Sequence, residues 1–287
     1  MQIQIIDNVG RTTVSLLFPA ISNADDIRIA VAFVSNDGLS QIMPSVQTAL
    51  GRGAYVEFLV GMDARATDPK AIRDLYTLSC GANQFSLLCF VSRNISSIYH
   101  PKMYLARRCN NATAIIGSSN LTRRGLETNI EANIAITDDI HTEIMSDIYS
   151  TYNRLKYHPS RVIPDDEFVN LFTDMCRKEE SQERRVSRNR ALQELRKAFI
   201  RKSNSLQRPK PTKRDLIGWL ELVYDVLPDG EFTNQDIYAY EEEFRQQYPQ
   251  NFNIRAKIRQ QLQVLHSLGF IEHPHRGLWK KIDRVGL

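Results

Sequence analysis

The chain has 287 residues, of which 42% are hydrophobic and 24% charged. That balance supports a packed core and excludes a disordered chain, and the length suits one large domain plus one small one. Net charge is only +4, but 14 Lys and Arg against 4 Glu lie between positions 177 and 214, so the remainder is net acidic. A basic belt of this kind is either a solvated helical linker or the footprint of a polyanion.

Cys80, Cys89, Cys109 and Cys176 are scattered without a CxxC pair, which argues against zinc ribbons and thioredoxin chemistry. No apolar run reaches the length that spans a bilayer. The opening MQIQIIDNVG lacks the layout of a signal peptide. A cytoplasmic protein with reduced thiols and no membrane partner is expected.

In chain order, residues 11–21 read as a short helix and 27–33 as a strand. Residues 39–50 carry helical apolar spacing stopped by Gly51. Residues 55–60 form a second strand. Asp68 before Pro69 has the form of an N-cap and first turn, opening a helix to Leu78. Strands follow at 86–90, 102–106, 113–116 and 129–136, then a helix over 139–157. Strands interleaved with helices predict an α/β sandwich with a mixed sheet. Residues 177–201 are charged and helix-forming. They are broken by Ser203 to Ser205 and by Arg208-Pro209-Lys210-Pro211, which marks a boundary. The expected division is a first domain over 1–176, a basic helical connector over 177–211 and a second domain over 212–287.

Beyond that boundary the pattern changes. A helix over 216–227 is stopped by Pro228-Asp229-Gly230. Thr233 with Asp236 forms a capping box that opens a helix from 234 to about 247, closed by Tyr248-Pro249. A third helix runs from Asn253 to Gly269. Strands at 270–273 and 278–282 flank Pro274-His275-Arg276-Gly277 as a hairpin. Three helices and a hairpin are the plan of a winged helix.

Chemistry concentrates in His100-Pro101-Lys102, Gly117-Ser118-Ser119-Asn120 and Glu131. In an extended segment His100 and Lys102 share a face. An imidazole beside an ammonium suits phosphate chemistry, one attacking and the other neutralising oxygen charge. The small-residue turn after an apolar strand offers backbone N–H groups and an amide to phosphate oxygens. In a strand over 129–136, Glu131 faces away from Ile130, Ala132, Ile134 and Ile136, and its carboxylate is placed to hold the histidine Nδ1–H. Glu127 is a rival for that role, and the strand favours Glu131.

HxK followed by GSxN resembles the signature of the phospholipase D superfamily. Glu131, eleven residues after Asn120, resembles the glutamate of its restriction-endonuclease branch, the BfiI and NgoFVII type. The resemblance covers roughly residues 1–160 in element order, its specific motifs only 100–131. It implies His100 as nucleophile, Lys102 and Asn120 as phosphate ligands, Glu131 as orienting group, and no metal cofactor; Ser118 of the same turn completes the candidate catalytic set. Arg107 stands where the broad superfamily often has aspartate. The gap from Lys102 to Gly117 is also longer than in the bacterial nuclease pattern. Both departures fit the restriction branch better than a phospholipase. A metal-dependent nuclease is the competitor, since Asp63 with Asp68-Pro69-Lys70 echoes its acidic pattern, but Asp68 is better explained as an N-cap. His273 and His275 lack a third ligand nearby and read as exposed wing residues.

Of the six histidines only His100 has a lysine two residues later. The superfamily mechanism needs two histidines, so one motif per chain implies a twofold homodimer sharing one site.

On the third helix of the winged helix, Ile254, Ile258, Leu262, Leu265 and Leu268 form the core stripe, and Arg255, Arg259, Gln260 and Gln263 lie opposite. Arg pairs with guanine and Gln with adenine in the major groove, although the same pattern also describes an ordinary solvated face. Residues 212–282 resemble the winged helix of the DpnI and Dam-replacing type. That resemblance implies double-stranded, adenine-methylated DNA as partner, Asn253, Arg255, Arg259, Gln260 and Gln263 near bases, and His275, Arg276 and Trp279 near backbone or a methyl group. Trp279 is equally placed to plug the space between wing and core. The expectation is thus a metal-independent restriction-type endonuclease. A phospholipase D-like lipid phosphodiesterase or phosphatidyltransferase, and a non-catalytic winged-helix regulator, are the competing readings.

Overall fold

The computed structural model describes residues 1–92, 98–183 and 190–282. Part of the basic belt, 184–189, therefore lies outside the described residues. The chain divides into two compact units, residues 1–137 with 158–209, and residues 138–157 with 210–287.

The first unit is built on an eight-stranded mixed sheet in the order β1-β7-β6-β5-β2-β3-β4-β8. The strands are β1 (Gln2–Ile6), β2 (Asp26–Val31), β3 (Tyr55–Gly61), β4 (Phe85–Phe90), β5 (Lys102–Arg108), β6 (Asn111–Gly117), β7 (Asn133–Asp139) and β8 (Arg161–Val162). Strands β2, β3 and β4 run parallel, and β5 returns antiparallel to β2 with Val31 opposite Lys102. Helices α1 (Thr13–Asn23), α2 (Asn36–Gly51) and α3 (Pro69–Gly81) connect the early strands. Alternate strand residues such as Ile27, Ile29, Val31, Phe58 and Tyr104 join Leu17, Ile42, Val46 and Leu75 of these helices in one buried cluster. The expected N-cap is present, since Asp68 accepts from the Lys70 backbone N–H at 2.8 Å.

Two features depart from the linear reading. The basic connector is not a free linker. Helix α5 (Asp166–Glu183) and α6 (Arg190–Ser205) belong to the first unit, where Phe199 packs on Phe168 with ring centroids 4.5 Å apart. The helix after β7, α4 (Glu143–Lys156), groups with the second unit instead. Its polar side chains explain why. The buried Lys156 bonds Asp215 at 2.7 Å, Asn153 donates to the Asp215 carbonyl, and Ser146 accepts from the Trp219 backbone N–H at 3.2 Å. Buried groups of this kind stay where their partners are.

The second unit also contains α7 (Trp219–Asp225), β9 (Glu231–Thr233), α8 (Asn234–Tyr238), α9 (Glu241–Gln247), α10 (Ile254–Ser267), β10 (Ile271–His275) and β11 (Leu278–Lys281). The sheet order β10-β11-β9 with the four helices α7 to α10 is a winged helix. The Thr233–Asp236 capping box opens α8 as expected, but the helix read over 234–247 is two, interrupted at Ala239-Tyr240. Trp219, stacked on Tyr248 at 4.3 Å, and the Ile254, Ile258, Leu262 and Leu265 stripe fill its separate core.

Candidate active site and nucleic-acid interface

Sheet pairing places the first motif. The Ala32 backbone N–H donates to the Pro101 carbonyl at 2.9 Å, so the β2–β5 ladder extends one residue ahead of β5, and Pro101 sits where its missing N–H costs nothing. His100 and Lys102 then meet as the alternation requires. Lys102 Nζ lies 2.7 Å from His100 Nδ1 and donates to the His100 carbonyl at 3.0 Å. His100 is exposed and Lys102 is buried. Phe33 lies edge-on to the imidazole at 5.6 Å, with Lys102 Nζ 5.8 Å from its ring centre.

Burial pushes the Lys102 ammonium down to about 8, against the opposing pull of the Glu131 charge. Burial and the Lys102 charge also lower His100. An ammonium donating to Nδ1 leaves the proton of a neutral imidazole on Nε2, the opposite tautomer to the one in which Nε2 attacks. Nucleophilic attack through Nε2 requires Lys102 to turn onto a phosphate oxygen.

The second motif follows β6. Gly117 ends the strand, pressed against residues 132–133. Asn120 accepts from the Phe33 backbone N–H through Oδ1 at 3.2 Å, which ties the turn to the histidine side of the site and leaves its amide N–H groups for an anion. Ser118 is exposed and its hydroxyl donates to Glu131.

Glu131 differs from the expectation in two ways. It lies two residues ahead of β7, not within a strand, because residues 124–128 wind as a π-helical turn and the neighbouring Ile130 is 93% exposed. Its carboxylate is held by Ser118 and by the Asn129 amide at 3.2 Å, while His100 Nδ1 faces Lys102. Glu131 therefore acts on the site through Ser118 and through the charge of Lys102. The rival Glu127 faces Arg123 at 3.5 Å.

Sequence reasoning missed the support under the turn. Buried Asn133 accepts from the Ser119 N–H at 3.1 Å, and donates to the Ser119 hydroxyl at 2.8 Å and to Thr13 at 3.2 Å. Asn8, at φ 61°, accepts from the Thr13 N–H at 2.9 Å and donates to the carbonyls of Gly125 at 2.9 Å and Asn129 at 3.2 Å. The Tyr104 hydroxyl donates to the Ser119 carbonyl at 2.9 Å. The Asn8 bonds to Gly125 and Asn129 cross more than a hundred residues, and no local pattern signals them.

In the second unit, Asn253, Arg255, Arg259, Gln260 and Gln263 are all exposed on α10 or at its start, as are His275 and Arg276 in the wing. Arg255 is not free: it bonds Glu241 at 2.6 Å and lies 5.1 Å over the Tyr238 ring, and Arg259 donates to the Tyr238 hydroxyl at 2.9 Å. Tyr238 and Glu241 are thus part of this face, although the sequence reading did not include them. Trp279 takes the plug position. It is 9% exposed, donates through Nε1 to Asn234 at 2.8 Å and meets His273 edge-on at 4.4 Å.

Residues 17–156 match the family described as cardiolipin synthase, PLD-like domain, and residues 214–281 the Dam-replacing HTH domain. The chain joins a PLD-like domain to a Dam-replacing winged helix. The site built on His100, Lys102 and Asn120 falls within the PLD-like stretch. Among solved structures, the chain is similar to Nuc of Salmonella typhimurium, a phospholipase D family member, at 21% identity and TM-score 0.40, covering 53% of this chain and 91% of that one. It is similar to NucT of Helicobacter pylori at 17% identity and TM-score 0.42, covering 54% and 94%. It is also similar to phosphatidylserine synthase of Haemophilus influenzae Rd KW20 at 13% identity and TM-score 0.47, covering 64% and 45%. Among the described residues no three His, Cys, Asp or Glu side chains gather as a metal-holding group.

Proposed function

We propose that the protein is a restriction-type endonuclease that hydrolyses DNA phosphodiesters through a phosphohistidine, without a metal, at adenine-methylated sites. The observation that carries this reading is the juxtaposition of His100, Lys102 and the Asn120 turn in the PLD-like domain of a chain that also has a Dam-replacing winged helix. His100 Nε2 attacks phosphorus, a P–N bond forms and the P–O bond to the leaving nucleoside breaks. The leaving oxygen takes a proton from His100 of the partner subunit in a homodimer that shares one site. Water then cleaves the P–N bond as that second imidazole accepts its proton. Lys102 and the Asn120 amide hold the non-bridging oxygens and offset the charge that builds on them.

The test is digestion of adenine-methylated and unmethylated plasmid in excess EDTA. Cleavage of the methylated plasmid, abolished in His100→Ala, is expected. Strict dependence on magnesium refutes the mechanism, and a fully active monomer refutes the shared site.

A lipid substrate is favoured by one observation, the cardiolipin synthase description of the matching family. No helix among the described residues is long and apolar enough to cross a membrane. Turnover of phospholipid vesicles with intact plasmid would establish that reading instead.

A further inference from the structure

Among its described residues the second unit leaves two large apolar side chains exposed, Ile144 at 39% and Phe252 at 89%, so Phe252 is by far the barer of the two. It stands immediately before Asn253, the N-cap of α10. An apolar residue at this position usually packs against the fourth residue of the helix. That residue is Lys257, whose ammonium bonds Asp147 at 2.7 Å, so the phenyl has no apolar partner there. Yet the turn that carries it is fixed. The Asn251 N–H donates to the Tyr248 carbonyl at 3.0 Å, the Asn253 N–H to Asn251 Oδ1 at 2.8 Å, and the Lys257 N–H to the Asn253 carbonyl at 3.0 Å. Ordering a turn in order to hold a bare aromatic ring in water has no folding benefit. Asn253 and, on the first two turns of α10, Arg255 and Arg259 are exposed as well.

The first residues of a recognition helix are those that reach base edges in the major groove. The base-edge group there that a phenyl ring recognises by excluding water is a methyl, the C5-methyl of thymine or the N6-methyl of a modified adenine. We propose that Phe252 is a specificity-determining residue that contacts a base-edge methyl in the major groove. This inference rests on the DNA-reading conclusion above and assigns that surface its apolar contact. Removing one methyl from water corresponds to about fourfold in affinity, from about 0.8 kcal/mol.

The test begins with selection, by the full chain, from a randomised duplex library of which half has been treated with an adenine-N6 methyltransferase. The selected duplex is resynthesised with uracil for each thymine in turn, and with adenine for each N6-methyladenine. The wild type is expected to lose about fourfold affinity at one methyl. Phe252→Ala should bind the methyl-bearing and methyl-free duplexes equally, with an unchanged salt slope because no phosphate contact is lost. Phe252→Leu should keep most of the discrimination. Whether uracil or unmodified adenine produces the loss identifies the methyl. Discrimination that survives intact in Phe252→Ala overturns the proposal, as does a wild type that selects a duplex but ignores every methyl. A wild type that selects no duplex at all refutes the DNA-reading conclusion, and this inference with it.

Discussion

Gly117→Ala tests the construction of the site most directly. The added Cβ would lie 2.3 Å from the Ala132 carbonyl oxygen, 2.5 Å from Asn133 Oδ1 and 2.6 Å from Asn133 Cα, where ordinary contacts begin at 3.4 Å. Two of these atoms are backbone and the third is the amide oxygen that holds the Ser119 N–H. None is the free end of a flexible chain, so the end of β6 must separate from residues 132–133 by about 1 Å. Overpacking of this kind costs about 1–3 kcal/mol of stability. The larger consequence is chemical. Ser118 and Asn120 sit on the displaced segment while Glu131 sits on the other side of the gap, and a shift of about 1 Å in a positioned group costs roughly 100-fold in rate. Hydrolysis of bis(p-nitrophenyl) phosphate, followed beside thermal unfolding, separates the two effects, since the rate should fall far more than stability alone requires. Gly51→Ala is the control. Nothing lies within 4 Å of its added Cβ and it ends α2, so neutrality or a gain of about 0.5–1 kcal/mol is expected. A Gly117→Ala protein with wild-type melting and turnover would show that the turn is not packed as described.

Three further outcomes follow from the same geometry. Lys102 is depressed to about 8 by burial, so its ammonium disappears as pH rises through that value, and kcat/KM for a phosphodiester should fall there. Lys102→Arg keeps the charge and should move the fall upward; an unmoved limb refutes the assignment. Trp279→Ala should cost about 3–5 kcal/mol, lowering the melting temperature of the second unit, because the ring is core and its N–H is bonded to Asn234. DNA affinity lost without any change in melting would instead make it a DNA contact. Glu241→Gln removes a carboxylate that the paired Arg255 holds below its usual pKa, and frees that guanidinium. DNA affinity should rise several-fold, with a steeper salt dependence in fluorescence anisotropy; an unchanged slope refutes the idea that Glu241 restrains the reading face.

Most of the parallel core was legible because its strands are apolar runs separated by helices with readable ends, such as the N-cap Asp68 and the final helical residue Gly51. Strands β1, β8 and β9 were not legible, and all three lie at sheet edges. An edge strand is decided by its one neighbour and not by its own residues. The chemistry-bearing side chains were also legible: His100 and Lys102 share a face through a local alternation of period two. What Glu131 touches was not, since its strand begins at Asn133, four residues later than the pattern suggested, and its carboxylate is taken by Ser118. The choice between the two places for Trp279 likewise needed Asn234, forty-five residues away.

The sequence by itself determined the inventory, namely a mixed α/β sheet, a winged helix, and the His100, Lys102 and Asn120 set with their order along the chain. Those follow from hydrophobic period, caps and residue chemistry, all of which act over a few residues. Only the tertiary structure decided that α4 groups with the second unit, that α5 and α6 pack instead of linking, and that Asn8 and Asn133 brace the turn from beneath. Each of those outcomes is set by a buried polar or apolar surface finding a partner far along the chain, and such a partner leaves no mark on the residues beside it.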